Sequence, residues 1–518
     1  MTRSLLKYFF IPVVILAALY LRLSRPDLML FNRDEGALFL LVEDSFQSSK
    51  WSSHGLEGTK GFFYGPVPVS IYSGLRQFVS HGWDLIETAF YFNGFIQILS
   101  LLPVLFLTRH LFSRWSWLLV CGLMLTSPHL LFYSRKVWDN PFLICWGNIC
   151  LAYVLWMFQS GTRDQESTSK ASLIPSHHAL LLGVFVGLMI GTHLMSLPLV
   201  GAITLVVLFG GLKAKTNIDH RFWLRVFAFV AAIGLVTGSY LLDVLQTRSI
   251  ASTEAVGESF RVFYPLTATR DILIKWTSWM SWGEFAKSMS MGRVELLFER
   301  LWAGASWHLL VVKAMALVSM VLGIVSAIYV ILFAVKVFRR FKSVKSDAFT
   351  MLKVFFAFLI VMQMGMMLVM DATNQPHYFQ AVWWLPFLVI GFSIDECKQG
   401  YENHSLRALA GMTIAVNLVF NGLLHKLYER DGGVTLLHFG ATYSEQTRAV
   451  SDLCVSQHAG LAGSVIDDPM VIGESSLRWQ LRMNPTCQGL DQTNLIGPPV
   501  KPSFEGKSAR IIWAKIDH

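Results

Sequence analysis

The chain has 518 residues, of which 53% are hydrophobic and only 15% charged. A soluble domain carries about a quarter charged residues, so an array of water-soluble domains is excluded. The formal net charge of +9 resides in short loops between apolar blocks and forms no basic stripe or binding motif, which excludes nucleic acid as a partner.

Apolar blocks close to the ~20 residues that cross a hydrocarbon core run at 5–23, 87–108, 116–132, 140–158, 178–193, 195–212, 222–245, 308–335, 350–370, 377–394 and 406–425. They predict an α-helical polytopic membrane protein with about eleven transmembrane helices over residues 1–425. The first block follows Arg3 and Lys7 and lacks a small-x-small cleavage site, so it reads as a retained span. The fifth and sixth blocks nearly fuse around Gly191 to Pro198, with His193 between them.

Basic residues in short loops set the orientation. Arg109 and Arg114, Arg163 and Lys170, Lys213 to Arg225, Lys336 to Lys345, and Lys398 with Arg407 all fall on one side if the N-terminus is cytoplasmic. The short loops on the other side carry few basic residues, Arg135 and Lys136 being the exception. Three outer segments are then long: 24–86, 246–307 and the tail from 426. The second mixes Trp276, Trp279, Trp282, Trp302 and Trp307 with Arg and Lys, which suits helices lying among lipid headgroups. The tail, 426–518, predicts a small α/β extracytoplasmic domain with a helix near 444–455 and a strand near 509–515. Its two cysteines, Cys454 and Cys487, are placed to form a disulfide if that compartment is oxidising.

Ionisable groups beside apolar spans are costly and therefore informative. Asn32-Arg33-Asp34-Glu35-Gly36 follows the first span, and Tyr133-Ser-Arg-Lys-Val-Trp-Asp-Asn-Pro141 joins the third to the fourth. Each has a structural explanation. Two carboxylates at a helix start complement its positive end, and Asp139 stands near the N-cap of a helix that Asn140-Pro141 begins. Both segments nevertheless fall on one predicted face, so Asp34, Glu35, Arg135 and Asp139 are candidates for one site. Carboxylates there serve as base or metal ligands, and an arginine fork suits phosphate.

At these residues the chain resembles the membrane-embedded GT-C glycosyltransferases, in the branch of protein O-mannosyltransferases and the lipid A aminoarabinose transferase. Asp34-Glu35, Gly65-Pro66, Arg109-His-Leu-Phe-Ser-Arg114, Tyr133-Ser-Arg135 with Asp139, and His377-Tyr378-Phe379 before Pro386 carry the resemblance. Two positions depart from it. Tyr64 and Gly65, with Lys60 upstream, precede Pro66 where some relatives have an acid and a lysine, and His193 stands where a lysine often does. The resemblance implies that Asp34 is the catalytic base and that Glu35 supports it or shares a divalent metal with Asp139. It implies a substrate-binding role for Arg135, Asp139, Lys60, His377 and Tyr378. The implied donor is a polyprenyl-phosphate-linked sugar, and the acceptor a protein, lipid A or another envelope glycan. The reaction would take place at the outer face of a multi-pass protein of a bacterial inner membrane, in contact with membrane lipids. The rival class is a transporter or flippase, which would show repeated halves and broken helices at mid-membrane.

Overall fold

The computed structural model describes residues 2–31, 33–57, 63–164, 176–212, 220–246, 306–340, 348–369, 376–397, 401–431, 442–458, 464–465, 474–490 and 514–515. Lys60 and nearly all of the Trp-rich segment 246–307 lie outside these residues. The helices are α1 (Thr2–Leu23), α2 (Arg33–Ser48), α3 (Val67–Arg76), α4 (Gly82–Thr108), α5 (Arg114–Thr126), α6 (Pro128–Ser134), α7 (Pro141–Asp164) and α8 (Ser176–Ile190). They continue as α9 (Leu197–Leu212), α10 (His220–Gln246), α11 (Ser306–Arg340), α12 (Ala348–Val369), α13 (Leu385–Glu396), α14 (Tyr401–Asp431), α15 (Tyr443–His458) and α16 (Glu474–Met483).

Among the described residues, four stretches are long and apolar enough to cross a membrane: Asp84–Thr108, Pro141–Ser160, Phe222–Val244 and Val321–Arg340. On α10, Phe227 is 70% exposed and Leu235 86%. Burying such side chains from water is worth ~1.5–3 kcal/mol each, so a helix presenting a row of them is solvated by lipid. The chain is an integral membrane protein.

The spans expected from hydropathy are not all continuous helices. The block at 116–132 is two helices, because Pro128 forces Ser127 into an extended conformation (φ −54°, ψ 120°) and starts α6 afresh. The block at 377–394 divides into a 3₁₀ turn, Pro376–Val382, and α13, with Pro386 in the first turn of that helix. Hydropathy registers apolar character and is blind to both breaks.

α13 is apolar on every side and buried from Leu385 to Phe392, as a helix at the centre of a bundle must be. Just before it, Trp383 and Trp384 are fully buried. The Trp383 Nε1–H donates to Asn148 Oδ1 at 3.0 Å, and Asn148 Nδ2 donates to Ser100 Oγ at 3.0 Å, tying the approach to α13 to α7 and α4. At one end of the bundle Asp395 accepts from the Ser113 backbone N–H at 2.7 Å, and Lys353 pairs with Glu396 at 2.5 Å. The opposite end gathers the C-terminus of α1, α2, α3, the start of α4, the α6–α7 junction and the tail helices.

α15 covers the helix anticipated at 444–455. Among the described residues of the tail, β-structure is an antiparallel pair, Ser464–Val465 with Ala514–Lys515, and the rest of the strand expected at 509–515 lies outside them. Cys454 and Cys487 are joined by a disulfide with Cα atoms 5.0 Å apart. The bond closes a small core of Val450, Leu453, Leu477 and Leu481.

Candidate active site

The elements gathered at this end of the bundle form a hydrophobic core of their own, built on Phe31, Phe39, Tyr72, Phe90, Phe142 and Trp479. Phe39 lies 5.1 Å from Tyr72 between ring centroids, and Tyr72 lies 5.2 Å from Phe142. The junction between α6 and α7, residues 135–140, threads this core and is held by polar contacts. Tyr72 Oη donates to Trp138 O at 3.2 Å, while Asn93 Nδ2 donates to Lys136 O at 2.9 Å and to Tyr72 Oη at 2.6 Å. Buried carbonyls require such partners, and here they fix the junction against α3 and α4.

Asp34 and Glu35 occupy the first turn of α2, where negative charge meets the positive helix end. Being one residue apart on a 3.6-residue repeat, they point in different directions. Asp34 is exposed and Glu35 is fully buried. Glu35 Oε1 lies 2.7 Å from Lys136 Nζ, and both side chains are almost wholly buried. Lys136 also stands over the Trp138 ring at 4.9 Å. Asp139 is 2% exposed; its Oδ1 accepts the Asn140 N–H at 2.7 Å, and Oδ2 has no hydrogen-bond partner among the described residues. Burial, reinforced by the nearby charge of Asp34, pushes the Asp139 carboxyl up to about 8. The side-chain amide of Asn140, fully buried, is likewise without a partner among the described residues. Orphaned buried polar atoms beside a charged cluster mark the place where a polar ligand or water belongs.

Arg135 does something other than face this cluster. Its Nη1 donates to Leu21 O at 2.9 Å and Ser24 O at 2.6 Å, and its Nη2 to Arg25 O at 2.8 Å. α1 ends there because Arg25 takes a left-handed conformation, φ 56°, and Arg135 satisfies carbonyls that this ending leaves open. The cation turned toward the acids is Lys136, which the sequence reading did not select. Its signal was available: a lysine beside the predicted site, in a loop side otherwise poor in basic residues.

The glycine-proline segment meets a second part of the site. Residues 55–57 pair with 63–64, Gly55 N–H donating to Tyr64 O and Tyr64 N–H to Leu56 O, each at 2.8 Å. Gly65 then lies against Gly191 so closely that a Cβ would stand 2.1 Å from the Gly191 carbonyl oxygen. This approach stacks Tyr64 on His193 with ring centroids 3.9 Å apart. Tyr64 and His193 both mark places where the sequence departs from the GT-C pattern, and they are in contact. His193 is buried, and its Nδ1 accepts the Met195 N–H at 3.1 Å, so it is a neutral imidazole rather than a cation. His377 and Tyr378 fall in the 3₁₀ turn Pro376–Val382, which packs on α7 and on the Leu194–Ser196 turn; their side chains lie outside the described residues.

No family model matches the chain. No curated protein matches it either. Among solved structures it is similar to the crystal structure of ArnT from Cupriavidus metallidurans bound to undecaprenyl phosphate. That similarity stands at 10% identity, 93% coverage of this chain and 85% of that one, with a TM-score of 0.48.

A divalent metal fits these residues poorly. Glu35 already faces an ammonium, and no group of three His, Cys, Asp or Glu able to hold a metal ion occurs among the described residues. What the arrangement offers is one water-exposed carboxylate, one buried carboxyl with a raised pKa and one buried, neutralised pair. A buried carboxyl with a raised pKa beside a water-exposed one is an arrangement suited to acid–base chemistry.

Proposed function

We propose that this protein is an inverting glycosyltransferase that moves a sugar from a polyprenyl-phosphate carrier to an acceptor at the extracytoplasmic membrane face. The acceptor class is a protein, lipid A or another envelope glycan. The observation that carries the reading is the division of labour at one end of the bundle: Asp34 open to water, Glu35 neutralised by Lys136, and Asp139 buried beside them. The residue pattern shared with the GT-C glycosyltransferases supports it. A transporter would place its ionisable groups near mid-membrane, whereas these stand at the helix ends.

Asp34 takes the proton of the acceptor hydroxyl as that oxygen attacks the anomeric carbon. The bond from that carbon to the phosphate oxygen breaks with its electron pair, polyprenyl phosphate leaves, and configuration inverts, as in inverting glycoside chemistry. Asp139, uncharged near neutral pH, offers an O–H rather than a second negative charge to the departing phosphate. Lys136, paired with Glu35, removes a second negative charge from the path of the departing phosphate, and stands nearer the acids than Arg135, the cation chosen on the basis of sequence.

The test is sugar transfer by the purified protein from polyprenyl-phosphate-linked donors, with products read by mass spectrometry. A positioned base contributes about 10²–10⁴ in rate, so Asp34→Asn should lose at least a hundredfold in turnover while keeping its melting midpoint. Near-normal turnover in folded Asp34→Asn would remove Asp34 as the base. Absence of transfer from every lipid-linked donor, with solute uptake into proteoliposomes, would replace the enzyme by a transporter.

A further inference from the structure

We propose that the C-terminal module is a positioning element of this active site, a disulfide-closed clamp that acts on Asp34 through the contact of Gly36 with Ser476. The inference rests on the reading of Asp34 as the base.

The tail grips the chain on both sides of Asp34. Before it, the Tyr443 N–H donates to Met29 O at 2.7 Å, Leu30 and Thr442 form an antiparallel bridge, and Gln446 Nε2 donates to Phe31 O. Residues 29–31 are thus held like a strand against the start of α15. After it, α16 lies along α2. A Cβ on Gly36 would stand 2.3 Å from Ser476 N and 2.4 Å from Ser476 Cα, so the two backbones touch where any other residue would separate them. One turn on, Phe39 packs on Trp479 with centroids 5.5 Å apart. At the far end of α2, Arg482 Nη1 bonds Asp44 Oδ1 at 2.8 Å and its Nη2 donates to Gln47 Oε1 at 3.0 Å.

Two further links make the clamp a single unit. The Cys454–Cys487 disulfide, with Asn484 Nδ2 donating to Ser451 Oγ at 2.8 Å, joins α15 to the end of α16. Trp479 belongs to the same core as Phe39 and Tyr72, and the Tyr72 hydroxyl holds the Trp138 carbonyl next to Asp139. The tail therefore sets the angle of α2, and with it Asp34, against the loop that carries Asp139. A misplacement of ~1 Å in a catalytic group costs about 10²-fold in rate, whereas donor binding at other contacts is spared.

The test uses the full-length protein in detergent, comparing wild type with Gly36→Ala, Cys454→Ser/Cys487→Ser and, as a control, Gly74→Ala, whose Cβ would meet nothing within 4 Å. Two readouts are taken: hydrogen exchange of the 33–40 amides, and kcat and KM for transfer from undecaprenyl-phosphate mannose or whichever lipid-linked donor the wild type uses. Gly36→Ala and the double serine variant should raise exchange at 33–40 at least tenfold while α4 keeps its protection. They should also lower kcat at least tenfold with KM within threefold. Gly74→Ala should match wild type. Wild-type exchange and kcat in Gly36→Ala would overturn the proposal, as would loss of protection throughout the bundle, which marks a general structural role. If Gly36→Ala does not fold, Arg482→Ala replaces it, with the same directions expected and unchanged values overturning the clamp. A wild type that transfers from no lipid-linked donor refutes the glycosyltransferase, and the exchange data then decide by themselves whether the tail orders the Asp34 turn.

Discussion

Lys136 and Glu35 show how a site residue is distinguished from its neighbour by what it touches. Removing one partner of a buried ion pair leaves an uncompensated charge and costs about 3–5 kcal/mol. Lys136→Ala should accordingly lower the melting midpoint sharply, and the double variant Glu35→Gln/Lys136→Met should recover most of the loss. Additive losses in that thermal-shift series would mean that the two groups do not act as a pair. Asp139 gives a pH signature. Its carboxyl is raised to about 8 in the fold and stands near 3.9 when unfolded, so between those values the folded state holds a proton that the unfolded state has released. Stability from this group is full at low pH and declines as pH rises through that window. Asp139→Asn removes this slope: from pH 6 to pH 8 the wild-type melting midpoint should fall relative to the variant's. Parallel curves would show that Asp139 does not titrate there.

Elements end where single residues make them end, and the consequences reach the site. α1 stops at the left-handed Arg25, and three donations from Arg135 hold its terminal turn. Hydrogen bonds from a charged donor are worth ~1.5–3 kcal/mol each, so Arg135→Ala should destabilise by about 3 kcal/mol or more in a denaturation series. Lysine should not rescue it, because one ammonium does not reproduce a planar fork. A merely catalytic arginine would instead leave stability unchanged. The proline-led breaks before α6 and α13 were present in the sequence as Pro128 and Pro386, but a hydropathy window averages over them. The packing of the Gly65 segment on Gly191 was not legible at all, since the two residues are far apart in the chain and only proximity gives a missing Cβ its meaning.

At the scale of the whole molecule, the two ends of the bundle carry different chemistry. One gathers Asp395 and Glu396 with Ser113, Lys336 and Lys353; the other gathers the acidic set, Lys136 and the disulfide-closed tail. With the N-terminus inside, as the basic loops direct, a cysteine placed at Ser456 should react in intact cells with a membrane-impermeant thiol reagent. One placed at His110 should react only after permeabilisation. The reverse pattern would invert the orientation and move the proposed site to the cytoplasm.

Composition and block length by themselves determined that this chain lives in a membrane, because apolar area is a sum over residues and needs no partner. The choice of Asp34, Glu35 and Asp139 as one cluster was also legible, since loop side follows from counting spans. Which carboxylate meets water, which cation faces the acids, and that the tail holds the Asp34 turn were decided only by tertiary structure. Burial and pairing are properties of neighbours in space. One helical step separates an exposed Asp34 from a buried Glu35, and the Trp479 that packs on Phe39 of the same helix arrives from the far end of the chain.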